Sequence, residues 1–342
     1  MNKDERDMKN NKYNTEYSER EKVLLCIRDK IDQIRETVLY KCRRTPASIS
    51  AIKGGFKTLK ADIVDDYEDP DALEHAAGYM DFLEGLYVNP KKHKSRNSIL
   101  ANGNHRIPLS QICSPAKGNE YAIKFINAFM SRSSRSVGKG EALLDVLYPD
   151  SEISLSKEPG DIKISGRSYE IKSTSQGSYV SLKMTENTSH RVADALQKKY
   201  FGIERSTSQK TTKWGKVNDL LALPLDKKLA FCQELYDLSV HELSDFKEVF
   251  AACDALGNSK ESEEHFKEFI GIKALKKYCE IDSFDTLLVL HQNHRDDILE
   301  LVILNDFDDR AFISKNFKFK PSISRGRCNQ SVGDGHVGFY IK

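Results

Sequence analysis

The spacing of apolar positions changes period along the chain. Residues 19–40, EREKVLLCIRDKIDQIRETVLY, place Val23, Leu24, Ile27, Ile31, Ile34 and Val38 on one stripe with charges elsewhere, which predicts an amphipathic helix. A second helix is expected from Pro46 to Leu59, and Asp69-Pro70 reads as a third helix start, with proline suited to the first helical position. NEYAIKFINAFMSR, beginning at Asn119, has helical spacing, and Glu141 opens a short amphipathic helix through Leu143, Leu144 and Leu147. Residues from about 186 to 280 are mostly helical in pattern. Beyond 284 the grammar becomes that of strands: FDTLLVLHQ and DILELVILND flank the polar turn NHRDD, and FKFKPSISRG and GHVGFYIK read as two shorter strands.

These periods suggest an organisation. Residues 1–18 are polar, Asn-rich and aperiodic, and read as a disordered tail. Residues 89–118, rich in Asn, Pro, Gly and basic side chains, read as a loop or linker. A helical N-terminal lobe is therefore expected over 19–115, followed by a second domain over 116–342 that carries a helical insert at about 186–280. Hydrophobic residues make up 39% and charged residues 30% of the 342-residue chain, an ordinary soluble composition. No run of about 18 apolar residues occurs, and the polar start is not a secretory signal. The seven cysteines, Cys26, Cys42, Cys113, Cys232, Cys253, Cys279 and Cys328, are odd in number and contain no CxxC pair. A disulfide framework or zinc site is not expected, and the setting is a reducing, cytoplasmic one. His291 and His294 sit in what reads as a solvated turn.

The chemistry concentrates in residues 157–173, KEPGDIKISGRSYEIKS. Read as a β-hairpin with Gly166-Arg167 as a type II′ turn, this stretch pairs Ser165 with Ser168, Lys163 with Glu170 and Asp161 with Lys172. Side chains alternate along strands, so Asp161, Lys163, Glu170 and Lys172 share one face and Ile162, Ile164, Tyr169 and Ile171 the other. Two carboxylates on a rigid sheet suit Mg²⁺, a hard cation that takes few protein ligands and keeps several waters. The metal acidifies a bound water and stabilises charge on phosphate oxygens, and a neighbouring lysine orients the water or neutralises charge. The other reading of the same face is an exposed hairpin with cross-strand salt bridges Asp161–Lys172 and Lys163–Glu170.

Pro159-Gly160-Asp161 followed by Glu170-Ile171-Lys172 resembles the PD-(D/E)xK nuclease superfamily, with a glycine inserted before the aspartate, and Glu141 resembles the acidic residue that members often carry on the preceding helix. The resemblance spans about 138–173. It implies an α/β fold with a restriction-endonuclease-like mixed sheet core flanked by helices. It also implies that Asp161, Glu170 and the Ile171 carbonyl hold Mg²⁺ (or Mn²⁺), that Glu141 holds it directly or through water, and that Lys172 acts on the nucleophilic water. Gln197 and Tyr200 are similar to a Q…Y element of some members.

A nuclease must also hold a polyanion, although the formal net charge is only +2. The candidates for phosphate contact are Lys139, Lys163, Arg191, Lys198, Lys199 and Lys213, with Lys91, Lys92, Lys94, Arg96 and Arg106 of the basic loop in a second set. Trp214 packs on its own domain or stacks on a base. The expectation is a Mg²⁺-dependent DNA endonuclease, restriction-type or phage-encoded, acting on double-stranded DNA as a homodimer, with no membrane association. A phage-encoded enzyme would act in the host cytoplasm. The alternative is a nucleic-acid-binding or structural assembly protein that keeps an inactive nuclease fold.

Overall fold

The computed structural model describes residues 19–39, 46–65, 78–79, 81–83, 85–86, 90–113, 120–130, 138–148, 150–154, 158–175, 177–182, 184, 190–203, 216–257, 259–293, 298–321 and 337–342. The expected tail over 1–18, the helix start at Asp69-Pro70, His294, Lys213 and Trp214 lie outside them. The chain forms two compact units, one of residues 1–102 and 107–167, the other of 103–106 and 168–342. The division falls inside the chemical stretch, at Arg167/Ser168.

In the first unit, α1 (Glu19–Leu39) and α2 (Pro46–Asp65) follow the predicted periods. Leu24, Ile27, Ile31, Ile34 and Val38 of α1 are all buried. The 89–118 stretch is not a linker: it holds α3 (Pro90–Ala101), β1 (His105–Pro108) and α4 (Ser110–Cys113). Pro90 occupies the first helical position, where its missing N–H is no loss. The Arg96 guanidinium is buried and donates to the carbonyls of Leu86 at 2.8 Å and Leu147 at 3.0 Å, so this arginine holds the fold and is no phosphate contact. Next come α5 (Glu120–Met130), α6 (Lys139–Leu147), β2 (Ser151–Ile153) and β3 (Ile162–Ile164). Phe129 of α5 stacks edge-on against Phe56. Its ring also fills the space over Gly55, where a Cβ would stand 2.4 Å from it. β2 and β3 are antiparallel, with Ser151 opposite Ile164 and Ile153 opposite Ile162.

The second unit begins with β4 (Arg167–Ser175) and β5 (Val180–Leu182). The helical insert follows as α7 (His190–Phe201), α8 (Val217–Leu221), α9 (Leu225–Tyr236), α10 (Val240–Ala255) and α11 (Lys260–Asp282). Then come β6 (Thr286–Asn293), β7 (Ile298–Leu304), α12 (Arg310–Asn316), β8 (Phe317–Pro321) and β9 (Val337–Ile341). β6 lies parallel to β4, with Glu170 opposite Leu287 and Lys172 opposite Val289, and β7 runs antiparallel to β6. Of the strands after 284, β6 and β7 thus extend the sheet that β4 begins, whereas β8 and β9 pair elsewhere.

β5, β9 and β8 form a separate three-stranded antiparallel sheet. One core joins α8–α11, the inner face of this sheet and Leu287, Val289, Val302 and Leu304. His291, expected in a solvated turn, is a buried member of β6. Arg106 pairs with Glu300 at 2.7 Å and donates to the Lys342 carbonyl at 2.7 Å, so it too is engaged within the protein. Both units mix helices and strands, which makes this an α/β protein. No helix among the described residues is long and apolar enough to cross a membrane. Cys26, Cys113, Cys232, Cys253 and Cys279 are free thiols, and burial pushes the Cys113 thiol up to about 12 against the partial opposition of Arg96.

Candidate active site

The turn of the hairpin differs from the expectation by one residue. Ser165 and Gly166 are its central pair, with φ values of 50° and 82°. Two positive φ values make a type I′ turn, whose twist matches that of the flanking strands. Serine is an unusual occupant of left-handed backbone, and here its hydroxyl is tied down. Asn97 Nδ2 donates to Ser165 Oγ at 2.6 Å, and Ser165 Oγ bonds the Asp150 carboxylate. The turn makes Ile164 and Arg167 its flanking residues, in place of the predicted Ser165 and Ser168.

Asp161 immediately precedes β3. Gly160, with φ 65°, makes the bend that places it there, and the Asp161 carbonyl accepts from Ser154 N at 3.0 Å. Lys163 pairs with Glu158 at 3.4 Å. Glu141 sits in the first turn of α6 and folds back over the residue before the helix. A Cβ on Gly138 would stand 2.5 Å from Glu141 Oε1. Glycine at 138 is therefore what lets this carboxylate lie against the helix start, where the helix dipole favours negative charge. Lys139, half-buried, is the first residue of α6.

In the second unit Glu170 is 6% exposed. Lys172 Nζ lies 2.5 Å from its Oε1, and Tyr278 Oη of α11 donates to the same oxygen at 2.5 Å. The Lys172 ammonium also sits 5.4 Å from the centre of the Tyr278 ring. Burying a carboxylate requires such partners, and Glu170 has an ammonium and a phenol on one oxygen, while Oε2 takes neither bond. Ile171, between them, turns its buried side chain to the opposite face. Lys163 and Lys172 each find a carboxylate in their own unit. Sequence reasoning missed Tyr278. Its only signal is an aromatic residue with a polar tip on the apolar stripe of α11, one turn after Ala274.

The other expected contacts are scattered through α7. Arg191 and Lys198 belong to this helix, and Lys198 is exposed. Lys199 is bound to Glu234 at 2.6 Å, and Tyr200 Oη donates to the same carboxylate at 2.5 Å. The Lys199 and Tyr200 hydrogen bonds hold the Glu234 carboxyl below its ordinary value. Gln197 is fully buried. The Q…Y pair is thus divided between packing and a surface ion pair.

Among the described residues, no three or more His, Cys, Asp or Glu side chains are grouped to hold a metal ion. The oxygen donors present, Glu170 Oε2 above all, are nevertheless of the kind a hard divalent cation takes. No protein-family model, curated protein or solved structure matches the chain.

Proposed function

We propose that this chain is a Mg²⁺-dependent DNA endonuclease with a restriction-endonuclease-like core, acting in the cytoplasm as a homodimer on double-stranded DNA. The observation that carries the reading is the buried Glu170 carboxylate, bound on one oxygen by Lys172 and Tyr278 and with its other oxygen taking neither bond. The parallel pairing of β4 with β6 supports it by completing a mixed sheet around the Glu-Ile-Lys triplet.

In this reading Asp161, Glu170 Oε2 and the Ile171 carbonyl would hold Mg²⁺ or Mn²⁺, and Glu141 would hold it directly or through water. Bound there, the cation supplies an acidified water and charge stabilisation at the phosphate. Tyr278 and the Lys172 ammonium fix the rotamer of the Glu170 carboxylate. Lys172 also orients the attacking water or neutralises charge as the phosphate develops it. Lys139, Lys163, Arg191, Lys198 and Lys213 contribute phosphate contacts, and Lys199 does so where the strand displaces Glu234.

One observation favours a second reading. One oxygen of the Glu170 carboxylate is already engaged by Lys172 and Tyr278, as it would be in a nucleic-acid-binding protein that keeps an inactive nuclease fold. Supercoiled plasmid incubated with Mg²⁺, Mn²⁺ or EDTA separates the two. A nuclease nicks or linearises it with metal and not with EDTA, and Asp161→Ala and Lys172→Ala abolish the cutting. Intact plasmid under all conditions, with DNA binding that survives Glu170→Ala, assigns the second reading.

A further inference from the structure

The β5–β9–β8 sheet commits one face to the core and, among the described residues, presents Tyr179, Lys318 and Lys320 exposed on the other. Val180, Leu182, Phe317, Phe319, Val337, Phe339 and Ile341 turn inward and are buried. The alternate positions form two rows across the open face. Lys318 is the ladder partner of Tyr340, and the Tyr340 ring centre lies 6.0 Å from that of Tyr179, the two planes at 58°. In the adjacent row Gly338 stands between Ser181 and Lys320. Gly338 is flat for a reason: a Cβ there would come within 2.8 Å of the Tyr179 ring.

Tyr179 is 53% exposed, and Lys318 and Lys320 are both exposed. Neither lysine makes an ion pair with a described residue. Lys318 contributes to holding the Glu264 carboxyl low, behind Lys267. An exposed ring, Tyr179, and a half-buried one, Tyr340, beside two ammonium groups without a described ion pair match one chemistry. Rings stack on base faces, lysines neutralise phosphates, and a strand must be single for its base faces to be reached.

We propose that this open face binds single-stranded nucleic acid, with the Tyr179 and Tyr340 rings on base faces and Lys318 and Lys320 on phosphates. The binding goes beyond the nuclease reading and does not depend on it, because neither the metal nor Glu170 takes part.

Fluorescence anisotropy of labelled oligo-dT and oligo-rU of about 15 nucleotides, with the full chain in EDTA at low salt, tests it apart from cleavage. Wild type is expected to bind, and a duplex of equal length to compete poorly. The Tyr179→Ala/Tyr340→Ala pair should weaken binding by about tenfold or more, and Tyr179→Phe/Tyr340→Phe should retain it. Lys318→Glu/Lys320→Glu should weaken binding and flatten its salt dependence. Circular dichroism melts check that each variant folds, and the lysine pair carries the test if the alanine pair does not. Binding of both oligonucleotides, or of one kind only, fixes the sugar the face accepts. Absence of binding overturns the proposal, as does wild-type affinity in the tyrosine and lysine pairs. So does a concentration-dependent molecular mass that the tyrosine substitutions abolish, because the face would then belong to a second copy.

Discussion

The second unit contains two sheets that treat polar residues in opposite ways. In β6 and β7 both faces are covered: Leu287, Leu288, Val289 and Leu290 are consecutive and all buried, as are Leu301 to Leu304. Sheets covered on both faces read as continuous apolar runs. β8, with sequence FKFKP, alternates buried and exposed positions instead. A polar residue in the second sheet is the default for its solvent face. A polar residue in the first has to be explained, and β4 places Glu170 there with Lys172 and Tyr278 on its carboxylate. The difference shows where chemistry is to be sought: the same Lys-and-carboxylate composition is informative in one sheet and uninformative in the other.

The largest test of that contrast is Lys172→Ala. The nuclease reading expects cleavage to fall by about a hundredfold to a thousandfold or more. One-sided removal of a buried pair costs about 3–5 kcal/mol. Lys172 is 27% exposed and Tyr278 stays bound, so about 2 kcal/mol is expected in urea unfolding. Unchanged stability would mean that Glu170 does not depend on the ammonium, and the contrast between the sheets would lose its basis. Gly271→Ala probes the inner face of the open sheet, where a Cβ would stand 2.0 Å from Phe319. Overpacking of this kind costs about 1–3 kcal/mol, more than alanine gains over glycine in a helix, so the thermal midpoint should drop; a rise would show that Phe319 yields freely.

Tyr278→Phe removes one hydrogen bond to a charged group, worth about 1.5–3 kcal/mol, and should slow cleavage while leaving oligonucleotide binding alone. Loss of both together would point to general unfolding. Lys320→Glu, on the open face, should change stability by no more than about 0.5 kcal/mol, read from the same urea curves. The smallest effect concerns Glu264, held low by Lys267 first. Its folded form binds fewer protons than the unfolded one. Its stabilising contribution is therefore present above the ordinary glutamate value of 4.5 and fades as the pH falls. Carboxyl NMR should find its midpoint below 4.5 and moving back toward that value with added salt; a midpoint at or above the ordinary value removes the ion pair from the account.

Periodicity made the helices and the apolar strands legible, because 3.6- and 2-residue repeats are local. What sequence concealed depended on partners far along the chain. The hairpin turn was displaced because Ser165 is held in left-handed backbone by Asp150 and by Asn97, 68 residues away. Within the basic stretch, Pro90–Ala101 forms a helix whose Arg96 is buried on the Leu86 and Leu147 carbonyls, a use of arginine that composition cannot distinguish from a phosphate contact. The three-stranded sheet went unnoticed because the helical insert separates β5 from β8 and β9. Asp161, Glu170, Lys172 and Glu141 were legible as a group of residue types, whereas Tyr278, 108 residues from Glu170, was not.

That distance has a consequence for synthesis. The N–H of Ser168, at the start of β4, bonds the side chain of Asp285, 117 residues later, and β4 has no β6 beside it until then. Closing so long a loop precedes any gain from the contacts it makes. At translation rates of about 5–20 residues per second, roughly 5–20 s separate the emergence of Glu170 from that of the tyrosine that fixes it. A nascent or prematurely terminated chain ending before residue 278 carries the whole Asp161-to-Lys172 stretch and lacks the phenol on its carboxylate. For a protein proposed to cut DNA, assembly itself would delay activity until nearly the whole chain has been made.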